Sequence, residues 1–388
     1  MRLSTLAVKN VWRNKLRTVL TILAVAIAIL LFVTLRTVIS AWTSAIDASA
    51  KDRIATRHKI TFIMTLPVKY VEDIRQIPGV KQATWMNWFG GKDPNRENEF
   101  FATIAVDKDS FLDVYDEIIV PPDQAEAWKQ NRRGALVGDV LARKLGWNVG
   151  DTVTIRGTIF PGNWEFEIEG IYEAKRRSVD RSSFWFHWDY LNESQSGPTK
   201  DQIGWIVSRI DDPAKSADIS AAIDAKFDER DVQTITMSER AMQASFMGMF
   251  SAVLTAIDLM SLVILGIMLL ILANTIAMGV RERTSEYGVL RAIGFRPPHI
   301  AQFIVAESTF VGLIGGLIGL GLAYPLVEMG LGRFLEENMG GMFPYFRIAN
   351  ATVIAAIVLS AALGAVAGLV PAYQASRLDV VDSLRRVG

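Results

Sequence analysis

The sequence predicts an α-helical membrane protein with four transmembrane helices and a large α+β extracytoplasmic domain inserted between helices 1 and 2. Three observations predict it. First, four long runs are wholly or nearly free of charge: Thr18–Leu35, Leu259–Val280, Ile300–Val327 with Glu307 as its single charge, and Ala351–Ala372. Each is about 20 residues or longer, enough at about 1.5 Å per residue to cross a hydrocarbon core of roughly 30 Å. Second, the stretch between the first two runs is about 200 residues long and rich in aromatic side chains, so it is a folded domain rather than a linker. Third, half of the 388 residues are hydrophobic and 21% are charged. The mean hydropathy of +0.24 therefore fits a few spans joined to a large water-facing part.

The elements follow in order. Residues 1–17 contain no acid, and Leu3, Leu6, Ala7, Val11 and Leu16 recur at roughly helical spacing among Lys9, Arg13, Lys15 and Arg17. That pattern predicts an amphipathic helix on the cytoplasmic membrane face, followed by span 1 over 18–40. The extracytoplasmic domain covers 41–237. Alternation predicts strands at Lys59–Thr65, Val80–Phe89, Phe100–Val106, Ile203–Ile210 and Val232–Ile235. Helices are predicted at Val68–Ile77, stopped by Pro78-Gly79, and from Asp212-Pro213 to about Glu229, with Asp as cap and Pro at the first helical position. These make two βαβ-like halves around an insert, about 118–200, where Gly134–Gly138 leads into a helix over Asp139–Leu145 and strands follow at Thr152–Arg156 and Trp164–Ile171. Met242, Phe246, Met249, Phe250 and Val253 keep helical spacing, so 238–280 is expected to be one unbroken helix, a stalk continuing as span 2. A cytoplasmic loop follows at 281–299, then span 3 at 300–328, an extracytoplasmic loop at 329–350, span 4 at 351–373 and a cytoplasmic tail at 374–388.

Lys and Arg near the span ends set the orientation. Arg2 to Arg17, then Arg281, Arg283, Arg291 and Arg296, and finally Arg377, Arg385 and Arg386 place both termini and the 281–299 loop in the cytoplasm of a bacterial plasma (inner) membrane. Formal charge is zero, so the bulk balance gives no reason to expect nucleic acid. There are no cysteines and three scattered histidines, which excludes disulfide scaffolds, thiol catalysis and the usual zinc motifs. No phosphate-binding loop, H-E-x-x-H or G-x-S-x-G occurs. The chain therefore reads as non-catalytic, with no metal and no cofactor of its own.

Within the spans, Gly312/Gly316, Gly315/Gly319 and Gly364/Gly368 give small-xxx-small spacing for close helix packing. Three intramembrane polar residues stand out. Asp258 sits at the outer mouth of span 2, Asn274 suits an interhelical hydrogen bond, and Glu307 could pair with the basic loop before it. The aromatic clusters around Trp85, Phe100, Trp164 and Phe184–Tyr190 have two readings: domain core plus membrane-interface belt, or a surface for an apolar substrate or a partner. Nothing local separates the two.

The most specific stretch is Arg281–Phe295, Arg-Glu-Arg-Thr-Ser-Glu-Tyr-Gly-Val-Leu-Arg-Ala-Ile-Gly-Phe. Val289, Leu290 and Ile293 form an apolar strip. Gly294 suits the position just past a helix end, and Pro297-Pro298 blocks continuation. A short helix of this kind is suited to docking in another protein's groove. The stretch resembles the E-R-x-x-E-I-G-x-L-R-A-x-G segment of MacB/FtsX-type (type VII) ABC transporter permeases. Asn14–Thr18, Gly134–Thr154, Glu307 with Gly312–Gly321, Pro371–Arg377 and Ser383–Arg385 resemble further parts of that family, with Tyr287 and Val380-Val381-Asp382 as departures.

The resemblance implies a permease subunit that couples ATP hydrolysis by a separate ABC ATPase to extracytoplasmic movement, or mechanotransmission. ATP and Mg would be bound by that partner. It implies a second permease copy, as homodimer or paralogous heterodimer, membrane lipids around the spans, and a periplasmic adaptor or substrate protein outside. Export of peptide, antibiotic-like or other amphiphilic substrates comes first; lipoprotein extraction or activation of a cell-wall hydrolase are the alternatives. Coupling falls to Glu286 and Leu290 as anchors, Leu290 being the apolar plug, with Glu282, Arg283, Arg291 and Gly294 around them. A sensor would need a cytoplasmic output domain, and a secondary transporter an inverted repeat; neither pattern is present in this sequence.

Overall fold

The computed structural model describes residues 15–96, 99–175, 179–338, 343 and 345–377, with side chains left out at 44–48 and 247. The expected helix over 1–17 and tail over 374–388 lie almost wholly outside the described residues. The chain divides into a helical unit (15–40, 252–332, 347–377) and an α+β unit (41–251, 333–346).

The chain enters through α1 (Lys15–Ala48), uninterrupted because no Gly or Pro falls within it. The α+β unit then runs β1 (Arg53–His58), β2 (Leu66–Pro67), α2 (Tyr70–Arg75), β3 (Val80–Trp88), β4 (Gly91–Lys92) and β5 (Thr103–Val106). It continues with α3 (Phe111–Val114), β6 (Ile118–Ile119), α4 (Pro122–Gln130), β7 (Gly134–Gly138), α5 (Asp139–Leu145), β8 (Thr152–Gly157) and β9 (Gly162–Ala174). Then come β10 (Phe184–His187), α6 (Trp188–Glu193), β11 (Gln202–Ile203), β12 (Trp205–Ile210), α7 (Ser216–Phe227), β13 (Thr234–Ser238) and α8 (Glu239–Gly248).

One sheet carries the order β13-β1-β12-β3-β5-β10-β7-β9-β8-β4, with β6 beside β9. β1 is antiparallel to both β12 and β13, and β12 is antiparallel to β3. The halves β1–α2–β3 and β12–α7–β13 are therefore interleaved, each half's two strands flanking a strand of the other, a split βαβ arrangement. Alternation along each strand feeds two cores, one on each face of the sheet. Ile54, Ile206 and Val137 join α2 and α7 on one face, while Ala55, Val207 and Leu136 join α3 and Trp128 of α4 on the other. Tyr70 stacks on Phe227 at 4.1 Å, tying α2 to α7. The aromatic clusters are mostly core: Phe89, Phe166, Phe184 and Phe186 are fully buried.

Two local expectations are corrected. The first strand is Arg53–His58, not Lys59–Thr65, where Ile60 and Ile63 are 78% and 90% exposed. Ile60, Phe62 and Met64 alternate as a strand would, but no neighbouring strand pairs with them. The unbroken stalk over 238–280 is also absent. α8 ends at Gly248, and α9 (Ser251–Glu282) starts afresh. Met249 N–H donates to the Phe246 carbonyl at 3.2 Å, a tightened final turn. The Phe250 ring turns onto Trp42 at 5.2 Å, and Gly248 adds no side chain to hold the helix straight.

The helical unit completes itself with α10 (Thr284–Ala292), α11 (Pro297–Ala323) and α13 (Asn350–Ser376). Between them, after a wide-turned segment over Tyr324–Gly332, lies α12 (Arg333–Asn338). Pro325 lacks the N–H an α-helix needs there and crowds the preceding turn, so the coil widens. The expected loop over 329–350 is thus helical as far as Asn338. The described chain holds four helices long and apolar enough to span a membrane.

Candidate functional site

The glycine pairs place the helices first. A Cβ on Gly312 would lie 2.5 Å from the Ser360 carbonyl oxygen of α13, and one on Gly364 2.7 Å from the Ser308 carbonyl oxygen of α11. Gly316 and Gly368 meet the Ser360 and Ser308 side chains in the same seam. Gly315 and Gly319 face the other way, onto Val25 and Ala26 of α1. α11 is therefore clasped on two sides by backbones that only glycine admits at this range. α9 differs: 17% of its apolar window is buried within the chain, against 44% for α1. Asn274 lies on an exposed part of α9. Asp258, near the start of α9, pairs with Arg36 of α1 at 2.8 Å, and both side chains are about half exposed.

At the other end of α9 two successive residues fix the turn into α10. Glu282 receives two hydrogen bonds from the Arg17 guanidinium, at 2.8 and 2.5 Å, tying α9 to α1. Arg283 Nη1 donates to both Glu307 oxygens, at 2.9 and 3.2 Å, tying the turn to α11. These two side chains are 16% and 14% exposed, so the pair is far better shielded than Arg36–Asp258. Burial by itself would lower the Arg283 pKa, but the Glu307 carboxylate outweighs it and raises it. One turn further on, Tyr287 packs among Val280, Ile300, Ile304, Ala372 and Ala375. Its burial, with Glu307 nearby, pushes the phenol up to about 12. So the turn into α10 is fastened to α1 and α11 by ion pairs, and α10 itself to α9, α11 and α13 by one ring. A cavity of ≈ 310 Å³, lined among others by Arg17, Glu282, Glu286 and Glu307, lies beside it.

α10 ends as its sequence dictates. The Gly294 N–H donates to the Arg291 carbonyl and the Phe295 N–H to the Leu290 carbonyl, both at 3.1 Å. This double closure needs a residue at positive φ, and Gly294 has φ +103°. Leu290, expected as the apolar plug, is half-buried against the Tyr287 cluster. The apolar side chains left open are Val289 and Ile293, 48% and 69% exposed. Helical spacing put all three on one strip, and only the position of the spans decides which edge turns inward. Glu286 is half-buried at the cavity, and Arg291 is partly exposed. The Arg17–Glu282 side of this arrangement escaped sequence reasoning because Arg17 lies 265 residues from Glu282.

A bundle of four spans carrying a split-βαβ domain after its first helix, and a capped short helix between its second and third, defines a multi-pass membrane protein with an extracellular domain. The MacB-like periplasmic core domain matches residues 18–226, and the FtsX-like permease C-terminal domain matches residues 259–380. The chain belongs to the MacB/FtsX-type family of ABC transporter permeases. It is 23% identical over 398 residues to an uncharacterized ABC transporter permease of Methanocaldococcus jannaschii, covering 98% of this chain and 97% of that one. It is 35% identical over 133 residues to the macrolide export ATP-binding/permease protein MacB of Psychrobacter cryohalolentis, covering 34% of this chain and 19% of that one. Among solved structures, the extracellular domain of the noncanonic ABC-type transporter YknZ aligns over 48% of this chain and 98% of its own, at 10% identity and a TM-score of 0.36.

Proposed function

We propose that this permease converts the movement of a separate ATPase, which binds ATP and Mg, into movement of the extracellular domain, driving outward export of an amphiphilic substrate. Both termini and α10 lie on the cytoplasmic side in this reading, and two permease copies make the working assembly. The non-catalytic role of the chain belongs to the same reading. The observation that carries it is that α10 and the turn leading into it are together fastened to all four spans, the turn through Glu282 and Arg283 and the helix through Tyr287. A push on such a helix reaches every span at once, whereas a loosely held loop would absorb it. Movement along α9 then passes the Met249-Phe250 break into α8. The macrolide-export name of a relative supports an antibiotic-like substrate over a nutrient.

The docking surface is the exposed pair Val289 and Ile293, with Leu290 holding the helix down from within. Val289→Arg with Ile293→Arg changes only exposed positions. The double variant should reach the membrane at normal levels, lose ATPase co-purification and lose export, because desolvated apolar anchors carry most of a docking energy. Retention of the ATPase at the wild-type level would remove α10 as the coupling element.

A further inference from the structure

The α+β unit contains a cavity that the coupling reading does not use. It measures ≈ 410 Å³ and opens between the β8–β9 hairpin tip and the segment joining α6 to β11. Its lining includes no charged residue. Trp164 and Trp188 form part of the wall, 9% and 6% exposed. Both indoles are fixed in place. Trp164 Nε1 donates to the Phe160 carbonyl at 3.2 Å, and Trp188 Nε1 to the Gln202 carbonyl at 3.1 Å. Edge-on neighbours, Phe89 at 5.3 Å and Trp85 at 5.8 Å, hold the two rings from behind.

Asn87 also lines this cavity. It is 8% exposed, and no described protein group hydrogen-bonds its amide. That amide faces the open cavity, so a ligand that displaces water there must replace the water's hydrogen bonds. Gln202 lies beside it; its Oε1 accepts from Thr65 at 3.1 Å, and its NH2 points to no described acceptor. At the rim, Ile159 is 56% exposed. The site thus offers rigid aromatic walls, amide donors and an acceptor, and no charge.

We propose that this cavity binds an uncharged saccharide. A sugar ring presents an apolar C–H face, suited to the indoles, Phe160 and Ile159, and an edge of hydroxyls that both give and accept hydrogen bonds, suited to Asn87 and Gln202. Anionic lipids, nucleotides and acidic peptides would find no cation here. An acyl chain would leave the Asn87 amide unpaired. A neutral peptide is the remaining rival class, disfavoured because it uses backbone edges rather than a ring-lined cavity. Saccharide binding needs neither the ATPase nor α10, so it stands or falls apart from the coupling reading.

The test is calorimetric titration of the full chain in lipid nanodiscs, free of sugar-headed detergent, with tetra-N-acetylchitotetraose and, separately, with tetra-alanine. Wild type should bind the saccharide. Asn87→Leu, close in size, should weaken binding by about tenfold or more, because ligand hydroxyls lose their partner. Ile159→Asp, on an exposed rim position, should weaken it by about threefold; it also keeps the test decisive should Asn87→Leu melt at a lower temperature than wild type. No saccharide binding at about 5 mM, a regime of only about 3 kcal/mol, would overturn the proposal. So would saccharide binding untouched by both variants, or Asn87-dependent binding of tetra-alanine alone.

Discussion

In the α+β unit a single arginine sits under the sheet and holds two carboxylates. In the helical unit backbones touch through glycine, and the charges gather at helix ends. Arg53, 3% exposed at the start of β1, donates to Glu117 at 2.7 and 2.5 Å, to Glu239 at 2.7 Å and to the Val114 carbonyl at 3.2 Å, with the Tyr115 ring 4.3 Å from its guanidinium. Burial would lower its pKa, but the two carboxylates raise it instead, well above its ordinary value. Glu239 is the first residue of α8, so this cluster binds the point where the chain enters the domain to the point where it leaves. The helical unit has a shielded pair of its own, Arg283–Glu307, but between α11 and α13 the work is done by close approach at Gly312, Gly316 and Gly364. A buried charge cluster fails when a partner is removed, whereas a glycine seam fails when an atom is added.

Removing Arg53 should produce the largest effect. Arg53→Met strands two largely buried carboxylates, which costs about 3–5 kcal/mol. Eight of the ten tryptophans fall between Trp85 and Trp205, so fluorescence melting reports on this unit. The variant should melt far below wild type. Adding Glu117→Leu and Glu239→Leu should recover most of the loss, since a well-packed apolar replacement is often neutral. Failure of the triple variant to recover would mean that the polar cluster itself specifies the fold.

Next in size is a pH effect confined to the same unit. His187 is 2% exposed, and its Nε2 has no hydrogen-bond partner. Burial first, and Lys108 second, lower its pKa from 6.5 to about 4. The folded chain therefore keeps the ring neutral where the unfolded chain protonates it. Stability from this group is whole above pH 6.5 and drains away as pH falls toward 4, by up to about 3 kcal/mol. Melting of wild type and His187→Gln between pH 7 and 4 isolates the contribution. Parallel slopes for the two proteins would show that His187 does not carry it.

Much of this architecture is legible in the residues, and the failures have a common cause. The spans declare themselves because a charge-free run needs no partner to be recognised. The α10 cap is equally local: Gly294 followed by Pro297 fixes it. The two βαβ halves are visible as elements, but their interleaving depends on pairings such as Ile54 with Ser208, which no local pattern encodes. β1 was hidden because it holds Arg53 and Arg57, and Arg53 becomes acceptable in a core only through Glu117 and Glu239, 64 and 186 residues away. The stalk break at Met249-Phe250 was hidden for a related reason. Periodicity shows that a face is apolar, and only the packed neighbours show where the face turns or stops.

The helical unit answers to addition. Gly316→Ala drives a methyl into the Ser360 side chain, while Gly321→Ala meets nothing within 4 Å. The first should cost about 1–3 kcal/mol by forcing α11 from α13, and the second should be silent. The cysteine-free chain allows a reporter here: Ala367→Cys places one thiol at a site 2% exposed on α13. Its reaction with an apolar maleimide should speed up on Gly316→Ala and stay at the reference rate on Gly321→Ala. Equal rates would show that the α11–α13 seam yields without cost.

The smallest effect is expected where the two kinds of cohesion meet in one unit, at the exposed pair Arg36–Asp258. Its 2.8 Å separation is no longer than that of Arg283–Glu307, so distance alone predicts equal strength. Exposure separates them. Arg36 and Asp258 are 44% and 56% open, and pairs as open as this contribute about 0.5 kcal/mol or less in water. Asp258→Asn keeps the shape and removes the charge, so Ala367→Cys reactivity and thermal melting should match the reference within error. Glu307→Gln at the shielded pair leaves Arg283 largely buried without its counter-ion, and should quicken the reaction clearly. A quickening by Asp258→Asn as large as that of Glu307→Gln would mean that this end of α9 is shielded by lipid or a second copy, since only removal from water could raise the worth of so open a pair.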